Sequence, residues 1–308
     1  MDHQAPQPQA RILVLCGKGG VGKTTLSLAL GLRHASQGRR VVIVSSHPLP
    51  ELGIAVSLDG LSRRFPEASR NLFVVHLDPR ELLVEVVERA VPVPLVASTI
   101  LNSSIFQNLV EISPGLKEFY FLARLQQLAE RKRAISGAST PDYDILIWDA
   151  PASGHFLATL RAARAFETYL TGPLAAAGAN LDRFFSSAAN MSILPVSPLE
   201  EMALTETFEM ADALSREFQL GCDALILNSV SPVVTASDAD LATLHIDDSS
   251  APALRFAVNR GLAERELCAE IRHRIAAPQV SVPRIRHWDG DLDLLDQIGE
   301  WLNIPAAL

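Results

Sequence analysis

The chain has 308 residues, with 27 Lys and Arg against 35 Asp and Glu and a net charge of −8, so it lacks the basic excess that a dedicated nucleic-acid binder carries. Its three cysteines, Cys16, Cys222 and Cys268, are far apart with no Cys-x-x-Cys, which argues against a zinc clamp or a disulfide framework and fits free thiols in a reducing cytoplasm. No run of about 18 uncharged apolar residues occurs; the nearest stretch, Leu82 to Leu101, is broken by Glu85, Glu88, Arg89, Pro92 and Pro94.

Residues 1–10 are polar and proline-bearing and read as a flexible tail rather than a signal peptide. The remainder, 11–308, reads as a single domain. Its first apolar run, Ile12–Cys16, leads into Gly17-Lys18-Gly19-Gly20-Val21-Gly22-Lys23-Thr24-Thr25 and then the apolar-rich Leu26–Leu32. That is strand, glycine loop and helix, the setting in which Gly-x-x-x-x-Gly-Lys-Thr binds phosphate. The glycines let successive N–H groups converge on one phosphate, and the helix N-terminus adds partial positive charge. Lys23 can reach the β- and γ-phosphates, and the Thr24 hydroxyl can hold Mg²⁺.

Further apolar runs follow at Val41–Ser45, Leu72–Leu77, Ile145–Asp149, Ser192–Val196, Ala224–Asn228 and Gln279–Val282. Short Val/Ile/Leu runs that are apolar on both faces predict strands buried in a parallel sheet, with helices crossing between them. The expected fold is therefore α/β, a layered and mostly parallel sheet flanked by helices. Between Pro79 and Arg133 no strand signal appears; Leu82–Ala90, Ser98–Leu109 and Leu116–Ala134 predict helices, with a turn at Pro114-Gly115. Phe156–Ala189 predicts a second helical stretch, broken at Thr171-Gly172-Pro173. These segments, about 79–135 and 156–190, predict a helical layer inserted beside the sheet. Ser231–Ala253 reads as a polar surface segment.

Asp149 ends an apolar run and is followed by the small, flexible Ala150-Pro151-Ala152-Ser153-Gly154-His155. An aspartate at a buried strand's end beside a phosphate loop serves Mg²⁺ through a bound water, and Gly154 lets backbone approach a γ-phosphate. The competing reading of Asp149 is a helix cap. Lys18 either reaches a phosphate across a twofold interface, adding charge where the leaving oxygen turns negative, or is a solvated lysine.

The stretch Gly17–Thr25 resembles the deviant phosphate loop of the SIMIBI ATPases, and Asp149-x-x-x-x-Gly154-His155 resembles switch II of their ArsA/GET branch. Pro114-Gly115-Leu116-Lys117-Glu118 is similar to a helical-layer motif of that branch, and Pro198-Leu199-Glu200 with Glu206-Thr207 to its Pro-Glu and Glu-Thr element. The resemblance implies an ATP- and Mg²⁺-dependent dimer, either a homodimer or a heterodimer with a related ATPase, that couples nucleotide state to a partner or to hydrophobic or membrane-protein cargo. It implies that Thr25 meets the α-phosphate, that Asn228 reads adenine and that Glu200 meets the nucleotide across the dimer; a strand-end turn residue and a helix-start acid are the plainer readings of the last two.

One position departs from the branch. Its switch I carries an aspartate that positions the attacking water; here Ser45-Ser46-His47-Pro48-Leu49 places His47 there. Neutral imidazole, with a pKa of about 6.5, can accept a proton from water but lacks the carboxylate's charge. Turnover through His47 or Glu51, and an ATP-binding subunit paired with an active paralogue, both stand as expectations, as does a weaker ParA- or MinD-like positioning role. No methionine falls between Pro79 and Arg133. Phe119 and Phe121 there either line a groove or are ordinary core. The arginines between Arg255 and Arg286, interleaved with Glu264, Glu266 and Glu270, predict a solvated face.

Overall fold

A computed structural model describes residues 12–46, 66–78, 115–130, 132–135, 138–169, 171–235, 252–285 and 292–302 with a few isolated positions. His47, Glu51, Pro114 and, apart from Val84, Glu88 and Ser103, the expected helices Leu82–Ala90 and Ser98–Leu109 lie outside the described residues.

The sequence supplies continuous apolar runs, and those runs become the strands β1 (Ile12–Gly17), β2 (Val41–Ser45), β3 (Leu72–His76), β6 (Ile145–Ala152), β7 (Met191–Pro198), β8 (Leu225–Val230) and β9 (Gln279–Pro283). They form one seven-stranded sheet in the order β3-β2-β6-β1-β7-β8-β9, every pairing parallel. The central strands β1 and β2 are buried at every residue, whereas the edge strand β9 alternates, as strands with one and two covered faces should. Asp149 on β6 stands opposite Leu15 of β1 on one side and Ser45 of β2 on the other. The carboxyl ends of the three strands that bear the motifs therefore lie side by side.

Two layers of helix cover the sheet. On one face α1 (Lys23–Ser36) packs with α7 (Leu292–Trp301), burying Leu26, Leu30, Leu295 and Ile298 over Leu15, Ile43 and Ile147. On the other lie α2 (Leu116–Glu130), α3 (Ser153–Tyr169) and α4 (Pro173–Phe185), joined by Leu214 and Phe218 of the π turn Leu214–Phe218 that extends α5 (Glu201–Ala213). Trp148 sits at the centre of this layer, fully buried among Phe121, Phe156 and Phe185. Phe119 and Phe121 are 4% and 3% exposed, so the core reading of these two is the one realised. The long α6 (Pro252–Arg274) lies against β8 through Cys268 and Ile271. Among the described residues no helix is long and apolar enough to cross a membrane.

Three expectations need correction. Helix α2 stops at Glu130, and the chain then forms an antiparallel hairpin, β4 (Lys132–Ile135) with β5 (Ala138–Pro141), where helix to Ala134 was expected. The two residues between the strands, Ser136-Gly137, have the composition a tight hairpin takes, and this overrides the helical propensity before it. The small residues after Asp149 lie in regular elements: β6 continues to Ala152, held by the pairing of Ala152 with Gly17, and α3 begins at Ser153, three residues before the expected Phe156. The arginine-rich face of α6 is not uniformly solvated, since Glu264 within it is 3% exposed and ion-paired.

Candidate functional site

The loop Lys18–Gly22 joins β1 to α1, and its shape is dictated by glycines. Gly17 has φ 141°, and a Cβ there would overlap the carbonyl of Val196 on β7. Gly22 has φ 94°, and a Cβ there would run into the side chain of Asn228. Only glycine satisfies both positions, because each combines left-handed backbone with close approach of a neighbour. Gly22 also starts α1 without a side-chain cap, and the first turn of α1 carries no acid. Its free N–H groups and dipole thus face the loop, the arrangement that attracts a phosphate.

Lys23 folds back onto this loop, its Nζ donating to the carbonyls of Gly17 and Lys18 at 2.9 Å each. Burial lowers its pKa, while Asp149, Cys16 and Glu206 act in the opposite sense. Asp149 is therefore close enough to be felt by the loop lysine, and at 6% exposure it is sunk at the sheet's end. Thr24 and Thr25 in the first turn of α1 are half-buried. A hydroxyl at Thr24 and a carboxylate at Asp149 are hard oxygen donors, the set that suits Mg²⁺. Asp149 lies four residues before α3 begins at Ser153, too far back to act as that helix's N-cap.

Lys18 and Glu200 meet partners within the same chain. Lys18 lies 3.8 Å from Glu206 of α5, and the Ser153 hydroxyl at the start of α3 donates to the same carboxylate. Glu200 precedes α5 without capping it and instead pairs with Arg260 of α6 at 3.3 Å. Asn228, expected to read a base, spends its amide locally: Nδ2 donates to the Val21 carbonyl at 2.8 Å and Oδ1 accepts the Ser229 N–H at 2.9 Å. It acts on the phosphate loop as a strut from β8. His155 in the first turn of α3 approaches Glu118 of α2 at 3.4 Å, joining the segment after Asp149 to the helical layer.

These elements surround an open cavity of about 740 Å³ that runs from Lys18–Gly22 past Glu200 and Met202 to Asn228, Ser229, Arg260 and Arg284. The last two arginines and the 77%-exposed Met202 were not singled out from sequence. The i, i+4 spacing of Arg260 and Glu264 was the available signal for the arginine wall, but such spacing also occurs on solvated helices. Burial, with Cys222 adding to it, pushes the Cys16 thiol well up, and burial, with Asp223 adding to it, pushes Cys222 up to about 11. Both remain protonated at neutral pH and are poor soft-metal ligands as they stand.

A family profile described as anion-transporting ATPase matches residues 10–194. The chain is 24% identical over 258 residues to the arsenical pump-driving ATPase of Escherichia coli, covering 75% of this chain and 41% of that protein. It is 28% identical over 169 residues to the putative arsenical pump-driving ATPase 2 of Aquifex aeolicus, covering 52% of each. It is 29% identical over 151 residues to the ATPase GET3A of Arabidopsis thaliana, covering 47% of this chain and 36% of that one. The alignments with these three relatives span about half of their length or less.

Proposed function

The chain belongs to the anion-transporting ATPase family, in its ArsA/GET-type branch, and from that premise we propose that it binds Mg-ATP in the cavity at Lys18–Gly22, hydrolyses it as a dimer and passes the change to a partner or cargo. The observation that carries this is the loop itself: left-handed glycines with no room for a Cβ, an uncapped α1 and Lys23 turned onto the loop.

In this reading the amides of Gly19–Gly22 and the ammonium of Lys23 hold the triphosphate, and Thr25 meets its α-phosphate. Thr24 and Asp149 would hold Mg²⁺, which when bound neutralises charge on the β- and γ-phosphate oxygens. Water attacks the γ-phosphorus, the bond to the bridging oxygen breaks, and ADP and phosphate leave. Lys18 supplies positive charge to that oxygen from the partner subunit, as the resemblance implies, once its contact with Glu206 opens. Glu200 would likewise leave Arg260 to meet the partner's nucleotide. The contacts Ser153–Glu206 and His155–Glu118 give the segment after Asp149 a route to α5 and to the helical layer.

The test is phosphate release with Mg²⁺ and ATP. Wild type should exceed background, and Lys23→Ala should fall by about 10²–10³-fold, the usual loss when a preorganised charge is removed. Equal rates would sink the enzymatic half. ATP binding by calorimetry without turnover would instead favour a nucleotide-gated subunit, which His47 in place of the switch I aspartate suggests.

A further inference from the structure

Arg260 and Arg284 line the cavity that begins at Lys18–Gly22, and the carboxylate of Glu264, buried behind them, pairs with both. Arg260 and Glu264 are one turn apart on α6, and Arg284 follows β9 directly. Glu264 is 3% exposed, and both its oxygens are engaged: Oε1 accepts Arg260 Nε at 3.1 Å and an Arg284 terminal nitrogen at 2.9 Å, and Oε2 accepts the Ser231 N–H at 2.8 Å. That same Arg284 nitrogen also bonds the Ser229 carbonyl at 3.1 Å. Gly261, beside Arg260, brings α6 close to the chain after β8, because a Cβ there would overlap Val233. A buried carboxylate is tolerated only when its charge is paired and its lone pairs are used. Here the outcome is geometric: two guanidiniums, with side chains 39% and 34% exposed, are fixed at the cavity surface by one interior anion.

The cavity that begins at Lys18–Gly22 continues to Asn228, Ser229, Arg260 and Arg284, at the carboxyl ends of β8 and β9, so a nucleotide with its phosphates on the loop amides would have room for its base beside these arginines. A guanidinium offers donors only, on a flat plane. A purine offers ring-nitrogen acceptors and a flat face; Asn228 gives one amide N–H to Val21 and accepts the Ser229 N–H, which leaves it a second N–H but no positive charge or flat fork to offer. We infer that Arg260 and Arg284 hold the nucleobase of a purine nucleotide, and that Glu264 is the positioning residue that aims both. The inference rests on the nucleotide-site reading above and adds the residues that contact the base.

Displacement of a fluorescent ATP analogue from the full chain, with Mg²⁺, separates the two ends of the site. ATP and inorganic tripolyphosphate are the competitors, the second lacking base and ribose. Arg260→Gln and Arg284→Gln should each weaken ATP about tenfold, the usual effect of losing a charged hydrogen bond, and change tripolyphosphate less than about twofold. Glu264→Gln should show the same selective loss. Arg284→Lys, which keeps the charge but not the flat fork, should do so with the fold intact by circular dichroism. Parallel weakening of both competitors in folded variants, or no change in either, overturns the inference and leaves the triad as a clamp between α6 and the sheet. A wild type that ATP cannot displace overturns the nucleotide reading itself, and the inference with it.

Discussion

His34, in the last turn of α1, shows how one side chain can set a pH limit. Burial, with Arg39 adding to it, lowers its pKa from 6.5 to about 4. The unfolded chain takes up the proton first on acidification, so the stability this residue supports is complete above pH 6.5 and is lost as pH falls toward about 4. The ring is partly open and its charge is screened, so the effect is smaller than the full shift would give. The melting temperature of wild type should drop more between pH 7.5 and 5.0 than that of His34→Gln, by about 2–4 °C. Identical slopes in the two proteins would refute the assignment. The residue had no motif to announce it, because its pKa depends on burial and on neighbouring arginines, neither of which is written at position 34. Lys23 and the glycines were legible, since a phosphate loop fixes residue type and backbone shape together within nine consecutive positions.

Helix α5 links the loop to α3 through a single carboxylate, because Glu206 both approaches Lys18 and receives the Ser153 hydroxyl. Glu206→Gln keeps the side chain's shape and weakens both contacts. Amide exchange at Ser153–Phe156 should rise about tenfold, as expected for loss of one charged hydrogen bond, while exchange in β1 stays as it is. Unchanged exchange would show that α3 is pinned by packing alone. The sheet strands could be read in advance because strands buried on both faces leave continuous Val/Ile/Leu runs, as at Val41–Val44. The β4–β5 hairpin could not, since Lys132–Ile135 and Ala138–Pro141 contain no such run and, among the described residues, pair only with each other. The start of α3 was misplaced for a similar reason. Small residues such as Ala150 and Ala152 carry no apolar run or helical period, and only the register against Gly17 shows that they extend a strand. Glu264 escaped because charge alternation along α6 carries no information about which carboxylate faces the interior.

At the scale of the whole molecule, a net charge of −8 on each copy opposes face-to-face closure, so an ATP-dependent dimer needs cations placed at the junction. Lys18, with 40% of its side chain exposed, is the residue the proposal assigns to that task. Mg-ATP should shift wild type toward a dimer in sedimentation velocity, and Lys18→Ala should abolish the shift while leaving ATP affinity within about threefold. A dimer that forms equally well without Lys18 would return that residue to a solvated role. Trp148 bears on what such closure could move. Its indole is gripped by Phe121, Phe156 and Phe185, and the next residue along the strand is Asp149. A carboxylate next to so closely packed a ring is a fixed post. Any stroke begins past it, at the Ala152–Ser153 junction where the pairing with Gly17 ends, and must slide Phe156 over that ring to turn the seventeen residues of α3, a lever about 25 Å long. Tyr169, 81% exposed at the lever's tip, would then sweep the widest arc of any residue on that helix.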